Sequence, residues 1–363
     1  MSVVSIDLRM HKSSGIGTYI VNVVPRVIEM CPDITFYLLG DLNQLLIYPW
    51  TQRDNVKIID FQSPIYSVQE QIQLCRIIPK SNKLLWSPHY NIPLFYRGKL
   101  MVTIHDVFHI AMPQFVYKWY QRLYAKVMFT AVCRKANRII TVSDFTANEL
   151  RRLTGDNKLL PLTSVHNGVD HSWYCTKEEL SPHSIRYIVC VGNVKPHKNI
   201  PIVLKAFKKI ADQIPHDLLI IGKKEDFITG DARVADAVTE LQDRVHLLGV
   251  VPDDVLKSYV THADVLVFPS LYEGFGLPPL EAMACGCPVL ASSAASIPEV
   301  CGDAVLYFDP QDAEQLASRL LELLQNNELR ADLSAKGKLR SVLFDWRKCS
   351  TATATIIREA LSE

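Results

Sequence analysis

The sequence predicts an α/β protein built from two parallel sheets, each covered by helices on both faces. Short apolar runs alternate with helix-like segments, the runs fall into two series, and 363 residues are too many for one ordinary core. Strands buried on both faces read as continuous apolar runs rather than as alternating patterns. We therefore expect two doubly wound domains whose ligands bind at the carboxyl ends of the strands.

The apolar runs are short, and turn residues or helical segments separate one from the next. In the first series the predicted strands are Val3–Ile6, Thr35–Leu39, Val56–Ile59, Leu84–Trp86, Leu100–Ile104 and Arg138–Val142. In the second series they are Arg186–Val191, Leu218–Ile221, Val245–Leu248, Val265–Phe268, Val289–Ala291 and Val305–Phe308. The clearest predicted helices are Ile200–Ile214, Pro278–Cys285 and Ala313–Leu324.

A polar stretch, Tyr174–Ser184, separates the two series. We therefore predict an N-terminal domain over residues 1–175 and a C-terminal domain over residues 176–345. A last helix over residues 346–363 is expected to cross back to the N-terminal domain. Two such sheets that face each other would form one deep cleft.

Composition and charge disfavour several classes of protein. The net charge of +1 does not indicate nucleic-acid binding, and no run of about 18 apolar residues predicts a membrane span. The start of the chain lacks the basic and apolar regions of a signal peptide, so we expect a cytoplasmic protein. The nine cysteines form no Cys-x-x-Cys pair, and we expect them to be reduced and to bind no metal.

The segment Glu273–Glu281 carries the most informative pattern: two carboxylates flank a glycine-rich turn, after a strand and before a helix. A helix N-terminus offers unpaired N–H groups and the positive end of a dipole, which favour an anion such as phosphate. Carboxylates beside a phosphate are suited to accept hydrogen bonds from hydroxyls, so the pattern indicates a nucleotide or a nucleotide sugar. The structural alternative is that Glu273 or Glu281 only complements the helix dipole.

Two weaker candidates follow strands of the first series. Gly15 and Gly17 precede a predicted helix, where bare backbone can approach a phosphate or a sugar; a plain tight turn is the alternative. His105 and Asp106 follow the strand Leu100–Ile104 and would direct polar groups into the cleft. A structural histidine is the alternative for that pair.

The loop after the strand Arg186–Val191 is basic. Lys195 and Lys198 lie there just before the helix that begins at Ile200, where they could reach a diphosphate. The alternative is a pair of solvated lysines. The position between strand and helix favours at least one phosphate contact.

Taken together, these motifs resemble those of the GT-B glycosyltransferases, and specifically the retaining family 4, also called glycosyl transferases group 1. The resemblance covers nearly the whole chain and implies two Rossmann-like domains. Supporting segments are Val165–Asp170, Leu248–Val251, Ala282–Val289 and Ile297–Val300. The basic loop, which begins Gly192-Asn193, is similar to that of a subgroup dominated by mannosyltransferases.

The resemblance also implies roles for single residues. The implied catalytic residues are His105, Lys198 and Glu273, and Asp106 is implied in acceptor binding. The implied donor-binding residues are Gly15, Gly17, Gly192, Asn193, Lys195, Val250, Gly274, Phe275, Gly276, Leu277 and Glu281.

Within this set, Glu273 would contact the transferred sugar, Glu281 the ribose hydroxyls and Lys198 the diphosphate. Asn193 stands where the family has an arginine, and Lys195 is the candidate replacement. No Asp-x-Asp sequence occurs, which agrees with transfer that needs no metal and no other cofactor.

The implied function is retaining transfer of a hexose from a nucleotide sugar, with GDP-mannose preferred, to a glycan or lipid-linked glycan in polysaccharide or lipopolysaccharide assembly. UDP- or dTDP-sugars stay open as donors. A nucleotide-sugar 2-epimerase and a noncatalytic subunit that binds nucleotide sugars are the other candidate functions. A dinucleotide oxidoreductase is disfavoured because the loop with Gly15 and Gly17 lacks the third glycine.

The segment from Val107 to Ser143 contains no acidic residue. Its basic residues Lys118, Arg122 and Lys126 recur every four positions along a predicted helix. The aromatic residues interleaved with them are Phe115, Tyr117, Trp119, Tyr120, Tyr124 and Phe129. This pattern is typical of contact with an anionic membrane, here the inner face of the cytoplasmic membrane. An ordinary helix with a solvated basic face is the alternative.

Overall fold

A computed structural model shows an α/β protein with two parallel sheets. It describes residues 2–116, 118–155, 161–174, 180–222, 241 and 243–363. Contacts divide the chain into unit 1, which comprises Met1–Gly168 and Asp345–Glu363, and unit 2, which comprises Val169–Phe344. The chain therefore passes from one unit to the other before residue 175, where the polar stretch suggested a boundary; residues 175–179 lie outside the described part.

The sheet of unit 1 contains seven parallel strands, in the order β3-β2-β1-β4-β5-β6-β7. Their bounds are β1 (Ser2–Asp7), β2 (Ile34–Gly40), β3 (Val56–Asp60), β4 (Leu84–Ser87), β5 (Leu100–Ile104), β6 (Arg138–Thr141) and β7 (Leu162–Ser164). The interior strand β5 is buried at every position, as a strand covered on both faces requires. The strand order reverses between β1 and β4, which places the switch point of this sheet at their carboxyl ends.

Helices cover this sheet, and one of them comes from the C-terminal segment. Their bounds are α1 (Ser14–Met30), α2 (Leu42–Leu45), α3 (Val68–Ile77), α4 (Phe108–Ala111), α5 (Trp119–Lys135), α6 (Asp144–Thr154) and α13 (Trp346–Ser362). Helix α13 packs against α1, where Arg358 pairs with Asp33 at 2.6 Å. Gly168 permits a close approach to this helix, because a β carbon there would lie 2.0 Å from the backbone nitrogen of Trp346.

The sheet of unit 2 contains six parallel strands, in the order β10-β9-β8-β11-β12-β13. Their bounds are β8 (Tyr187–Val191), β9 (Asp217–Ile221), β10 (Val245–Gly249), β11 (Val265–Phe268), β12 (Val289–Ser292) and β13 (Leu306–Phe308). The helices described in this unit are α7 (Ile200–Ile210), α8 (Asp253–His262), α9 (Leu277–Ala284), α10 (Ile297–Cys301), α11 (Ala313–Gln325) and α12 (Asn327–Ser341). The switch point of this sheet lies between β8 and β11.

The predicted fold class, two doubly wound parallel sheets, is confirmed. Apart from shifts of one residue at many element ends, two details differ: the short strand β7 was not predicted, and α7 ends at Ile210, where a 3₁₀ turn over Ala211–Gln213 replaces the last predicted turn. Among the described residues, no helix is both long enough and apolar enough to cross a membrane.

Candidate functional site

The carboxyl edge of the unit 2 sheet brings together polar groups that follow two neighbouring strands. Lys198 follows β8 and Glu273 follows β11, and the Lys198 Nζ lies 2.6 Å from the Glu273 Oε1. The two side chains are 20% and 14% exposed, so a ligand can still reach the pair. The Lys198 ammonium also lies 5.8 Å from the centre of the Phe268 ring. Two of the three residues implied to be catalytic are therefore in direct contact.

The backbone around Lys198 is held by hydrogen bonds to the loops that follow β11 and β13. Asn199 adopts a left-handed φ of +55°, and its side-chain amide donates to the carbonyls of Pro269 (3.3 Å) and Pro310 (2.8 Å). The N–H of Leu271 donates to the His197 carbonyl at 2.7 Å. The basic loop and the loop that carries Glu273 thus form one hydrogen-bonded assembly.

Gly222, at the end of β9, packs directly against the basic loop. A β carbon at this position would lie 2.0 Å from the Gly192 carbonyl oxygen and 3.2 Å from the Asn193 nitrogen. Both are backbone atoms, so any side chain at Gly222 would displace this part of the loop. The sequence pattern did not single out Gly222, although a glycine directly after a predicted strand was a visible signal.

The turn between Glu273 and α9 leaves donors available. Gly276, with a φ of +100°, is the N-cap residue of α9; no side chain caps this helix, and the second and third helical residues are prolines, which carry no N–H. In the described part of the chain, the N–H groups of Gly276 and Leu277 have no acceptor. The Ser296 hydroxyl, which the sequence pattern did not single out, stabilises the turn. It lies 2.9 Å from the Glu273 carbonyl oxygen and 3.0 Å from the Phe275 carbonyl oxygen. The turn is thus preorganised for an anion.

Glu281 is the fifth residue of α9, beyond the first turn, and α9 has no acid in its first turn. Neither glutamate therefore caps α9 through a side-chain hydrogen bond. Burial raises the pKa of the Glu281 carboxyl to about 7; the nearby Asp253 carboxylate adds to the increase and the Lys257 ammonium opposes it. Within the described residues the carboxyl has no hydrogen-bond partner, so its acceptor sites are available to a ligand.

The other predicted donor-binding residues of unit 2 lie in the loops that follow β8, β10 and β11. Lys195 is exposed, and its backbone N–H donates to the Asn193 carbonyl at 2.8 Å. Val250 follows β10 and is 71% exposed. Phe275 is buried, with its ring 5.7 Å from that of Phe344. The structure shows no contact of the Lys195 ammonium with Lys198 or Glu273, so its proposed role as the replacement for an arginine stays a prediction.

Gly15 and Gly17 lie inside the first turn of α1, which begins at Ser14, and not before the helix as predicted. The helix starts early because the chain turns at residues 9–13, directly after β1. At Gly17 a β carbon would lie 2.5 Å from the His11 carbonyl oxygen, so this glycine is required by packing. At Gly15 a β carbon would meet no atom within 4 Å. Only Gly15 therefore leaves open space for a ligand.

His105 follows β5 and is held as a neutral imidazole. Its Nε2 lies 3.0 Å from the Pro88 carbonyl, and the Tyr19 ring packs edge-on at 4.9 Å. Burial lowers the pKa of His105 to about 4, although the Pro88 carbonyl and Asp106 oppose the shift. The neighbouring Asp106 accepts a hydrogen bond from the Phe108 N–H at 2.9 Å, which fixes the start of α4.

Unit 1 also contains a buried network of charges that the sequence pattern did not reveal. At the end of β1, the Arg9 Nη2 lies 2.5 Å from both the Asp7 Oδ2 and the Glu70 Oε1. These three side chains are at most 5% exposed. The Asn91 amide donates to Glu70 at 2.7 Å, and the Tyr124 hydroxyl donates to Asn91. Arg9, Asp7 and Glu70 thus find their partners among protein groups, and the buried His89 Nε2 lies 3.4 Å from the Asp7 Oδ2.

Helix α5 carries the predicted basic residues and an exposed apolar row. Trp119, Leu123 and Val127, four residues apart, are 71%, 53% and 47% exposed. Lys118 is the N-cap residue, and the Arg122 Nε donates to the Val116 carbonyl at 2.7 Å. Lys126 is also exposed.

The aromatic residues of this segment do not share one face. Tyr120 is 51% exposed, whereas Phe129 is buried and stacks on Tyr90 at 4.6 Å. Tyr124 is bound to Asn91, and Tyr117 lies outside the described residues. The exposed face of α5 is therefore less aromatic and more aliphatic than the sequence pattern suggested.

The chain matches known families and proteins. A family model described as glycosyl transferases group 1 matches residues 176–340, and one described as glycosyltransferase family 4 matches residues 15–173. The chain is 31% identical to O-antigen chain mannosyltransferase B of Escherichia coli over 285 residues, which cover 73% of this chain and 72% of that protein. It is 29% identical to O-antigen chain mannosyltransferase RfbU of Salmonella typhimurium over 246 residues, covering 68% and 66%.

Solved structures share the fold. Sucrose-phosphate synthase from Thermosynechococcus elongatus matches with a TM-score of 0.79 at 20% identity, over 100% of both chains. HepE of Anabaena, solved with UDP and glucose, matches with a TM-score of 0.77 at 16% identity, over 99% of this chain and 100% of that one. At these identities the similarity concerns the fold.

Proposed function

The chain belongs to glycosyltransferase family 4, and we propose that it is a retaining mannosyltransferase that moves mannose from GDP-mannose to a glycan or lipid-linked glycan. The observation that carries this proposal is the contact between Lys198 and Glu273 beside the uncapped N-terminus of α9. A cation and free N–H groups suit a diphosphate, and a carboxylate suits sugar hydroxyls. One site thus offers complementary groups to both parts of a nucleotide sugar.

The chemistry follows from the charges that develop during transfer. As the bond to the sugar breaks, negative charge grows on the leaving phosphate, and Lys198 with the N–H groups of Gly276 and Leu277 would stabilise it. Because these groups already compensate an anion, we propose that transfer needs no divalent metal. Glu273, now paired with Lys198, would turn to the hydroxyls of the sugar once the diphosphate attracts the ammonium. Glu281 would accept hydrogen bonds from the ribose.

The proposal that mannose is the transferred sugar rests on the names of the relatives and not on the shape of a sugar pocket. Two relatives of about 30% identity are named O-antigen chain mannosyltransferases. UDP- and dTDP-sugars are the competing donors, since ribose and diphosphate contacts differ little among nucleotide sugars. The O-antigen relatives also support an acceptor that belongs to a growing polysaccharide.

Product analysis by NMR tests donor, stereochemistry and metal dependence together. The protein would be incubated with GDP-mannose, UDP-glucose, UDP-N-acetylglucosamine or dTDP-rhamnose, with and without EDTA, and with a panel of mannose-terminated oligosaccharides. We expect an α-mannoside from GDP-mannose at the same rate in EDTA. A faster reaction with another donor would replace the donor assignment. A free epimerised sugar formed without acceptor would identify a 2-epimerase, and no turnover with any donor would favour a noncatalytic subunit.

We further propose that α5 holds the protein on an anionic membrane, where a lipid-linked acceptor lies. The exposed row of Trp119, Leu123 and Val127 next to Lys118 and Lys126 supports this proposal. Each lysine near an anionic surface contributes about 1 kcal/mol, so Lys118→Glu with Lys126→Glu should weaken binding by roughly tenfold or more. Co-sedimentation with phosphatidylglycerol and phosphatidylcholine vesicles measures this. Equal sedimentation with both lipids, or none with either, would contradict the proposal.

A further inference from the structure

Three side chains of metal-ligand type meet at the amino edge of the unit 2 sheet, the edge opposite to Lys198 and Glu273. His183 precedes β8, Asp217 is the first residue of β9 and His246 is the second residue of β10. Because β9 lies between β8 and β10, Asp217 stands between the two histidines. The Asp217 Oδ2 lies 2.7 Å from the His183 Nε2 and 3.1 Å from the His246 Nε2.

The burial of these groups differs in a way that suits ion binding. The Asp217 side chain is 1% exposed, whereas His183 and His246 are 22% and 33% exposed. The carboxylate is therefore withdrawn from water while the two imidazoles reach the surface. An ion could enter from the side of the histidines and retain a water molecule there.

We propose that the His183 Nε2, the His246 Nε2 and the Asp217 Oδ2 bind a divalent transition-metal ion of the zinc class. Zinc is commonly held by two imidazoles and one carboxylate, with a fourth position for water. Tetrahedral bonds of about 2.1 Å place neighbouring ligand atoms about 3.4 Å apart. The three ligand atoms all lie within 4.8 Å of one another, so small side-chain movements would create this geometry.

Arg244 orients the carboxylate without occupying the ligand oxygen. Its Nε lies 3.1 Å from the Asp217 Oδ1, and its Nη2 donates to the carbonyls of Ile214 (2.9 Å) and His216 (2.5 Å). Outer hydrogen bonds of this kind hold a metal-binding carboxylate in place. The guanidinium charge opposes a dication, so the site would bind less tightly than one without the arginine. Each imidazole would keep its proton on Nδ1, leaving Nε2 for the ion.

The proposed ion would be structural. It would join the amino ends of three adjacent strands, including the edge strand β10, whereas the nucleotide-sugar groups lie at the carboxyl ends. This site is therefore compatible with transfer that needs no metal. Three ligands far apart in the sequence share no motif, which explains why their spacing did not reveal them.

Isothermal titration of the chelator-treated full chain with ZnCl₂ tests the proposal. We expect one saturable site that His183→Gln and His246→Gln each weaken at least about tenfold. Glutamine keeps a hydrogen-bond donor for Asp217, so the imidazole ligand is lost with little change in the fold. His262→Gln is the matched control, since His262 bonds the Ser258 carbonyl of its own helix.

Thermal unfolding gives a second readout. Zinc should raise the Tm of the wild type and of Lys198→Ala alike, and should not raise that of His246→Gln, because an ion stabilises only a state that binds it. If zinc raises the Tm of Lys198→Ala as much as that of the wild type, zinc binding does not depend on the proposed transfer site. The proposal would be overturned if the wild type bound no zinc, or if both histidine variants bound zinc as tightly as the wild type does.

Discussion

The charged residues at the switch points of the two sheets are in different states. In unit 1, Asp7, Arg9 and Glu70 are buried and satisfied by one another. In unit 2, Lys198 and Glu273 are partly exposed, and the Glu281 carboxyl has no hydrogen-bond partner in the described part of the chain. A network that protein groups complete supports the fold, whereas one left incomplete can be completed by a ligand. Both networks follow the ends of strands, so position in the sheet alone does not distinguish a structural network from a ligand-binding one.

The largest effect on stability is expected from a substitution that breaks the buried charge network of unit 1. Arg9→Met should destabilise unit 1 by about 3–5 kcal/mol, because it leaves two buried carboxyls without their shared cation. Urea unfolding monitored by circular dichroism measures this change. Arg53→Met is the control, since Arg53 forms an exposed pair with Glu29 at 3.9 Å and should cost less than about 1 kcal/mol. Similar losses in both variants would contradict the structural role of Arg9.

The converse result is expected in unit 2. Lys198→Ala and Glu273→Gln should each lower kcat/KM by roughly 10²–10³, as expected for removal of a group that stabilises developing charge or holds the sugar. Their unfolding transitions should stay near that of the wild type, because the pair is partly exposed. Steady-state kinetics and thermal unfolding together test this. Turnover like that of the wild type in both variants would refute the site.

Glu281 connects stability to pH. Its folded pKa of about 7 exceeds the ordinary value of 4.5, so folding favours the protonated form, and stability is lost as pH rises from 4.5 to 7. Glu281→Gln should therefore exceed the wild type in stability by about 2–3 kcal/mol at pH 8, and the gap should close toward pH 4.5. Thermal unfolding across this pH range measures the gap. A gap independent of pH would show that ionisation of Glu281 is not its cause.

The smallest effect concerns backbone spacing. Gly222→Ala should destabilise unit 2 by about 1–2 kcal/mol and raise the KM for the donor, because its methyl group would displace Gly192. Gly15→Ala, where a β carbon meets open space inside α1, should leave stability equal or slightly higher. Unfolding curves and donor KM values check both variants. An unchanged KM in Gly222→Ala would mean that the loop after β8, which contains Gly192, does not position the donor.

Much of the fold could be predicted because doubly buried strands are continuous apolar runs; β5 and β11 match their predicted bounds. The strand β7 could not be predicted, because its three residues form no apolar run and none of them is fully buried. The end of α7 was predicted too late because the apolar residue Ile214 continues the helical pattern past the turn.

The polar sites were predicted only where a local motif carried them. Glu273 and Glu281 lie in one turn and one helix, so their spacing was informative. Arg9 meets Glu70, and Asp217 meets His246, only through the order of the strands. Similarly, the exposure of Leu123 and the burial of Phe129 depend on how α5 packs, which composition does not determine.

Comparison of GDP and GDP-mannose binding tests the central claim most directly. Isothermal titration would use the wild type, Lys198→Ala and Glu273→Gln. If Lys198 contacts the diphosphate and Glu273 the sugar, Lys198→Ala should weaken both ligands, whereas Glu273→Gln should weaken GDP-mannose and leave GDP unchanged. Equal weakening of GDP and GDP-mannose by Glu273→Gln, or no change in either variant, would contradict the account.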